Sequence, residues 1–188
     1  KGQISLYGNA LLEITNSRIS NSSTAGLYSQ SDTNNHVFLH VENCLIDNNF
    51  LAGIEIAGEN DSWIISNQII GNSSGVVIKS LEGANLILKD NNSSNNSKYP
   101  YEFSGFMDFD PTKVSRNIAK NNGIQAINLS GVTIKGVLVN APDLVYLVSN
   151  SGRTQDSCIS GLVKPGLFVK EGDQLIIEPG TVIKFKNP

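Results

Sequence analysis

The sequence predicts an all-β solenoid, a parallel β-helix of about five coils, from three observations. The first is a skeleton, L-x-I/V-x-N-x-x-I-x-N, that recurs as Leu12/Ile14/Asn16/Ile19/Asn21, Leu39/Val41/Asn43/Ile46/Asn48 and Trp63/Ile65/Asn67/Ile70/Asn72. The second is its period: Asn16, Asn43, Asn67 and Asp90 are spaced by 27, 24 and 23 residues, the range of solenoid repeats whose loops vary in length. The third is composition. Only 16% of residues are charged, so Asn, Ser, Thr and Gly make the polar surface. Asn, Ser and Gly compete with the helix for the backbone, while short alternating Val, Ile and Leu runs favour strands joined by tight turns. No helix is predicted.

Each repeat reads as two strands and two corners. In "LEITN" and "GIEI" alternate side chains share a face, and in a coiled chain that face is the interior. Downstream of each skeleton a second strand opens with glycine: Gly26-Leu27, Gly53-Ile54 and Gly75-Val76. The fourth copy, Leu86/Leu88/Asp90/Ser93/Asn95, has lost its Ile, and Tyr101 and Phe103 form its second strand. A weak fifth copy runs Val114/Arg116/Ala119/Asn121, followed by Gly123-Ile124. With coils about 4.8 Å apart, equivalent side chains stack, so Asn16, Asn43, Asn67 and Asp90 are expected to form an amide ladder at a corner. Asn suits a corner because it tolerates a left-handed backbone and bonds turn groups with its amide. Trp63, in the Leu12/Leu39 column of this alignment, is expected inside. After "APDLVYLV" (141–148), the stretch "GLFVKEGDQLIIEPGTVIKF" (166–185) alternates again between turns at Gly172-Asp173 and Pro179-Gly180.

Over about residues 11–131 the pattern resembles the right-handed parallel β-helix repeat of the pectin-lyase-like superfamily, while the L-x-x-L-x-L-x-x-N frame of leucine-rich repeats is missing. "LIIEPGTVIKF" resembles the opening coil, and "NNGIQAINLSG" (121–131) the closing coil, of β-helix modules in large microbial surface and secreted proteins. This resemblance implies coils over 1–131, a linker over 132–160 and the start of a further module over 161–188. The segment 161–188 is then expected to dock as a coil on a β-helix end, either at Lys1 of its own or another chain or in the next module.

Function is less legible. A net charge of −3 and the lack of any Lys/Arg stripe argue against nucleic acid, and no run of eighteen apolar residues predicts a transmembrane segment. The chain starts at Lys1 without a leader pattern, which suggests a piece of something longer. Seven Asn-x-Ser/Thr sequons (Asn21, Asn60, Asn72, Asn91, Asn92, Asn95 and Asn128) count weakly for an extracellular or cell-surface location in so Asn- and Ser-rich a chain. Cys44 and Cys158 are expected to be unpaired, since several coil rises separate them.

The superfamily includes polysaccharide lyases and hydrolases, but no column of acids, histidines or bases builds up on one face here. Asp108 and Asp110 in "FMDFDP" are the best carboxylate pair, able to hold calcium or act on a sugar, although Asp110-Pro111 equally opens an ordinary turn. No other cofactor is implied. Tyr99, Tyr101, Phe106 and Phe109 could stack on a glycan, or could fill the coil as core volume. The reading is a non-catalytic structural or adhesive module whose partners are copies of itself or neighbouring β-helix modules. A carbohydrate-active enzyme or a polysaccharide-binding module is the alternative.

Overall fold

The computed structural model describes residues 4–32, 34–79, 85–105, 108–138, 143–149 and 166–186. Every strand pairing between named strands is parallel and joins one coil to the next. An eight-stranded sheet stacks Ile4–Tyr7, Leu27–Gln30, Ala52–Ala57, Ser74–Lys79, Tyr101–Ser104, Ala126–Ser130, Val145–Val148 and Ile183–Phe185 in that order. A second sheet of five strands stacks Leu11–Thr15, Val37–Glu42, Asn60–Ile65, Asn85–Lys89 and Val114–Ser115. The third, also of five, stacks Arg18–Ser20, Leu45–Asp47, Gln68–Ile70, Asn92–Ser94 and Ile118–Lys120. Five coils thus share one three-sided plan. The solenoid then continues on shorter ladders, Asp108–Phe109 with Val132–Ile134 and Leu167–Phe168, and Gly136–Leu138 with Leu175–Ile177.

The expected division at 131/132 therefore falls inside continuous sheets. Strands at 132–138 and 145–148 belong to the stack, and those at 167–185 pair onto them rather than onto the Lys1 end. The physical reason is that 132–138 and 145–148 offer open parallel edges, on which the strands carrying Leu167, Leu175 and Ile183 pair while these side chains pack against the core. Residues 150–165, with Cys158, lie outside the described residues, and Cys44 is buried with a free thiol. The single helical element is one 3-10 turn, Pro111–Lys113, among the described residues.

Stacked aliphatics fill the interior. Leu39, Val41, Ile46, Ile54, Ile64, Ile69, Val76 and Leu88 are all fully enclosed. Burying a side chain of this size contributes about 1.5–3 kcal/mol relative to exposure, so the columns are the main source of cohesion. In the third coil the register departs from the sequence alignment by one residue. Ser62, Ile64, Ser66 and Ile69 stand opposite Leu39, Val41, Asn43 and Ile46. Since strand side chains alternate, that slip moves Trp63 to the outer face, where it is half-buried, and puts Ser62 inside.

Candidate functional site

The polar interior is the most organised feature of the molecule. Two columns of left-handed residues mark the corners: Asn16, Asn43, Ser66, Asp90 and Arg116 after the second sheet, and Asn21, Asn48, Gly71, Asn95 and Asn121 after the third. From the second coil onward the residue after each points inward. The first ladder is accordingly Cys44, Asn67, Asn91 and Asn117, and the second is Asn49, Asn72, Asn96 and Asn122. The column expected from sequence splits between the two roles: Asn67 is a ladder residue, whereas Asn16, Asn43 and Asp90 are corner residues with φ of 49°, 53° and 58°.

The ladder chemistry repeats at every rung. The backbone N–H of Cys44 donates to Asn67 Oδ1 at 2.9 Å, and Asn67 Nδ2 donates to Asn91 Oδ1 at 3.0 Å and back to the Val41 carbonyl at 2.9 Å. Asn91 stands in the same relation to Asn117 and the Ile64 carbonyl. In the second ladder Asn49 donates both its N–H and its Nδ2 to Asn72 Oδ1 at 2.9 Å, and Asn72 Nδ2 reaches the Ile46 carbonyl at 3.1 Å. Gln125 closes this ladder by accepting from Asn122. Each amide thereby satisfies corner groups that burial would otherwise leave unpaired.

The glycines at the strand starts belong to this arrangement. A Cβ on Gly53 would lie 2.6 Å from Ile69 Cγ2 and 3.1 Å from Asn72 Nδ2, and one on Gly26 would lie 2.8 Å from Asn49 Nδ2. On Gly75 it would run into Ser93 Oγ and the Pro100 carbonyl. At Gly26 and Gly53 a second-ladder amide occupies part of the space a side chain would need, and at Gly75 Ser93 and the Pro100 carbonyl occupy it.

The residues expected to carry chemistry are largely committed to the fold. Tyr101 and Phe109 are enclosed in the core, Phe109 edge-on to Phe103 at 4.9 Å, and the Tyr101 hydroxyl lies 3.1 Å and 3.2 Å from the Asn91 and Ile118 carbonyls. Burial pushes that phenol far up, and it pushes Tyr146 up to about 12. Neither Tyr101 nor Phe109 can show a face to a sugar, because each replaces an aliphatic residue inside the coil. Tyr99 is half-buried at a corner, where burial raises its phenol. Phe106 and the Asp108 side chain lie outside the described residues.

Asp110 caps the 3-10 turn, its Oδ1 accepting from Thr112 N–H at 2.9 Å and Thr112 Oγ1 at 2.7 Å. Asp110 thus serves the turn that its Asp-Pro sequence opens. No group of three or more His, Cys, Asp or Glu side chains that could hold a metal forms among the described residues. The sequons are sorted by the same packing: Asn60, Asn72, Asn91 and Asn128 are buried, while Asn21 and Asn95 are exposed corner residues.

Outside the core, paired charges cross from coil to coil. Arg18 donates Nε and Nη2 to the nearly covered Asp47 at 2.9 Å and 2.7 Å, holding that carboxyl below its ordinary range. Arg116 grips Asp90 in the same bidentate way and lowers it likewise. On the outer face of the second sheet Trp63 meets Phe38 edge-on at 5.0 Å and His40 at 5.7 Å.

Parallel sheets wound around an aliphatic core with buried amide ladders define a β-helix protein. Residues 2–182 match the family model described as right handed beta helix region, and the chain belongs to that family. No curated protein and no solved structure matches it.

Proposed function

We propose that this chain is a non-catalytic structural or adhesive module of an extracellular or cell-surface protein, stacking end to end with copies of itself or with neighbouring β-helix modules. The observation that carries the proposal is the state of the interior columns at the two end coils. Phe185 continues the column of Phe103, Leu129 and Val148, and Ile177 that of Leu138; yet Phe185 is 73% and Ile177 50% exposed, against 4% for Val148 and 0% for Leu138. At the other end Leu12 and Ile14 are only partly buried, whereas Leu39 and Val41 above them are enclosed. Strands with open edges and an uncovered apolar column recruit a further coil, because both the ladder bonds and the burial improve together. The commitment of Tyr101, Phe109 and Asp110 to packing and capping supports a scaffold over an enzyme.

The test is the mass of the protein in solution across a wide concentration range, by light scattering and sedimentation. Mass should rise with concentration, and Phe185→Lys combined with Ile177→Lys should hold the protein monomeric without changing its circular dichroism. A mass equal to one chain at every concentration, with fast amide exchange throughout residues 4–15, would refute end-to-end stacking.

A further inference from the structure

The outer face of the second sheet carries an apolar band that the core does not use. Leu11, Phe38, Trp63, Ile65 and Ile87 stand on its outward columns, Leu11 67% exposed and the others partly covered. Trp63 lies at the centre, in the third of the five coils, in a column otherwise made of Glu13, His40 and Ile87, so nothing in the coil plan demands an indole there. Phe38 and His40 stand edge-on to it at 78° and 76°, which makes the surface ridged. A ridged face closes by interdigitating with another, as the inner faces of a β-sandwich do. An apolar band rimmed by polar groups marks a contact with a second protein surface.

The charges beside the band are segregated along the solenoid. Glu13, Glu42 and Asp61 lie on the first three coils, Lys89 and Lys113 on the last two. His36 and His40 face Asp61 and Glu42 at 3.0 Å and 3.3 Å, and Lys113 donates to Asn85 at 2.9 Å. Glu13 and Lys89 make no ion pair among the described residues. Glu42 and Lys89 occupy one outward column, one coil to either side of Ile65.

We infer that this face binds a second copy of the chain, wall to wall, with the two solenoids antiparallel. A two-fold axis running along the strands through the third coil sets coil 1 opposite coil 5 and coil 2 opposite coil 4. Trp63 then meets Trp63 at the centre, each Glu42 meets the other copy's Lys89, and each Glu13 comes to the end that carries Lys113. Asp61 alone meets its like, with the His36 imidazole beside it. Parallel solenoids would set Glu42 against Glu42 and Lys89 against Lys89, a contact that like charges oppose. The strands beneath the centre of the band are paired on both sides, so no edge is open for a peptide to extend the sheet and contact is through side chains. Five strands about 4.8 Å apart and five residues long cover about 24 by 17 Å, roughly 400 Å² on each copy, against about 800 Å² in a standard interface. The pairing is therefore transient. A chain with blocked ends stays single at micromolar concentration, and the contact fills towards millimolar concentration or where several copies are held together. It uses the wall of the solenoid rather than its ends and does not depend on stacking.

Disulfide trapping reads a transient contact, and a background of Phe185→Lys with Ile177→Lys keeps the ends out of it, so failure here leaves the end-to-end reading untouched. In that background, with Cys158→Ser and with Cys44 buried, Glu42→Cys chains are mixed with Lys89→Cys chains under mild oxidation. The mixture should cross-link about tenfold or more faster than either variant alone, because only unlike positions come within disulfide reach. Adding Trp63→Ala to both chains should slow the reaction by about tenfold, the effect of losing a central anchor. By small-angle scattering at about 1 mM, Glu42→Lys and Lys89→Glu should each lower the dimer fraction, and their equimolar mixture should restore it, since opposite charges then meet between unlike chains. The charge variants keep the test readable should Trp63→Ala fail to fold. The inference is overturned if the mixture cross-links no faster than its components, if either cysteine variant links best to itself, or if mixing the charge variants restores nothing. A parent mass of one chain at that concentration overturns it equally.

Discussion

Asn67→Ala removes one rung of the first ladder and leaves every apolar column intact, so its cost measures the ladder alone. The substitution deprives the Cys44 N–H of its acceptor at 2.9 Å and the Val41 carbonyl of a donor at 2.9 Å. Asn91 Oδ1 keeps the backbone N–H of residue 67 at 3.0 Å. One buried N–H left unpaired costs about 1–3 kcal/mol and the other lost bond about 1 kcal/mol, a total of about 2–4 kcal/mol. For a chain of this size that lowers Tm by about 4–16 °C. Guanidinium unfolding followed by circular dichroism should show an earlier midpoint at unchanged slope. Asn43→Ala, one coil earlier at an exposed left-handed corner with φ 53°, forfeits only the ease with which Asn adopts that conformation, about 1 kcal/mol. Asn67→Asp should be worse than Ala at neutral pH, because an acceptor then faces the Val41 carbonyl and Asn91 Oδ1; it should recover as falling pH protonates the carboxyl. A midpoint for Asn67→Ala equal to that of the parent, or below it by less than for Asn43→Ala, would refute the ladder as a source of stability.

Gly53→Ala should cost about 1–3 kcal/mol, since its Cβ must displace Ile69 and the Asn72 amide, and thermal unfolding will show it. In acid, the Asp47 carboxyl, lowered first by its hydrogen bond to Arg18, contributes stability that is present above its unfolded pKa of about 3.9 and lost as pH falls through the folded value. Asp47→Asn should therefore flatten the acid limb of Tm against pH, and an unchanged limb would rule the pair out. In alkali the sign reverses: burial raises Tyr101 and Tyr146, so their contribution is complete below the unfolded value of about 10 and lost as pH rises towards the folded values. Of the five tyrosines, these two should give tyrosinate absorbance only together with loss of the circular dichroism signal.

Four of the five repeat frames were legible from aliphatic phase alone, because Leu12/Ile14, Leu39/Val41, Leu86/Leu88 and Val114 occupy the inward columns that their spacing implies. The third frame misled for a physical reason. Ile64-Ile65 and Ile69-Ile70 are apolar on both faces, so identity cannot fix the phase, and Trp63/Ile65/Asn67 imitates the skeleton better than the true Ser62/Ile64/Ser66. The doublets held the missing clue: Asn48-Asn49, Asp90-Asn91, Asn95-Asn96 and Asn121-Asn122 each set a left-handed residue before an inward amide, and Ser66-Asn67 and Gly71-Asn72 fit that rule. The glycines opening the first-sheet strands were visible, but their cause, the close approach of Asn49, of Ile69 with Asn72, and of Ser93 with the Pro100 carbonyl, appears only in three dimensions. The aromatic patch was hidden by the same slip, since Trp63 meets Phe38 and His40 only when shifted by one residue.

The rungs of both ladders run one way, each coil offering its amide oxygen to the coil before it. A neighbour is thus recognised by what it lacks, and any coil carrying the same doublets can stand in for another. Lengthening a strand by one residue inverts its faces, whereas excising 49–71 would join Asn48 to Asn72, the partner that follows Gly71 in the next coil, and restore every kind of contact. Inside its walls this protein has a grammar with one permitted unit of insertion or deletion, the complete turn. Lineages of such chains should differ by whole turns along the axis and by single residues only at the loops.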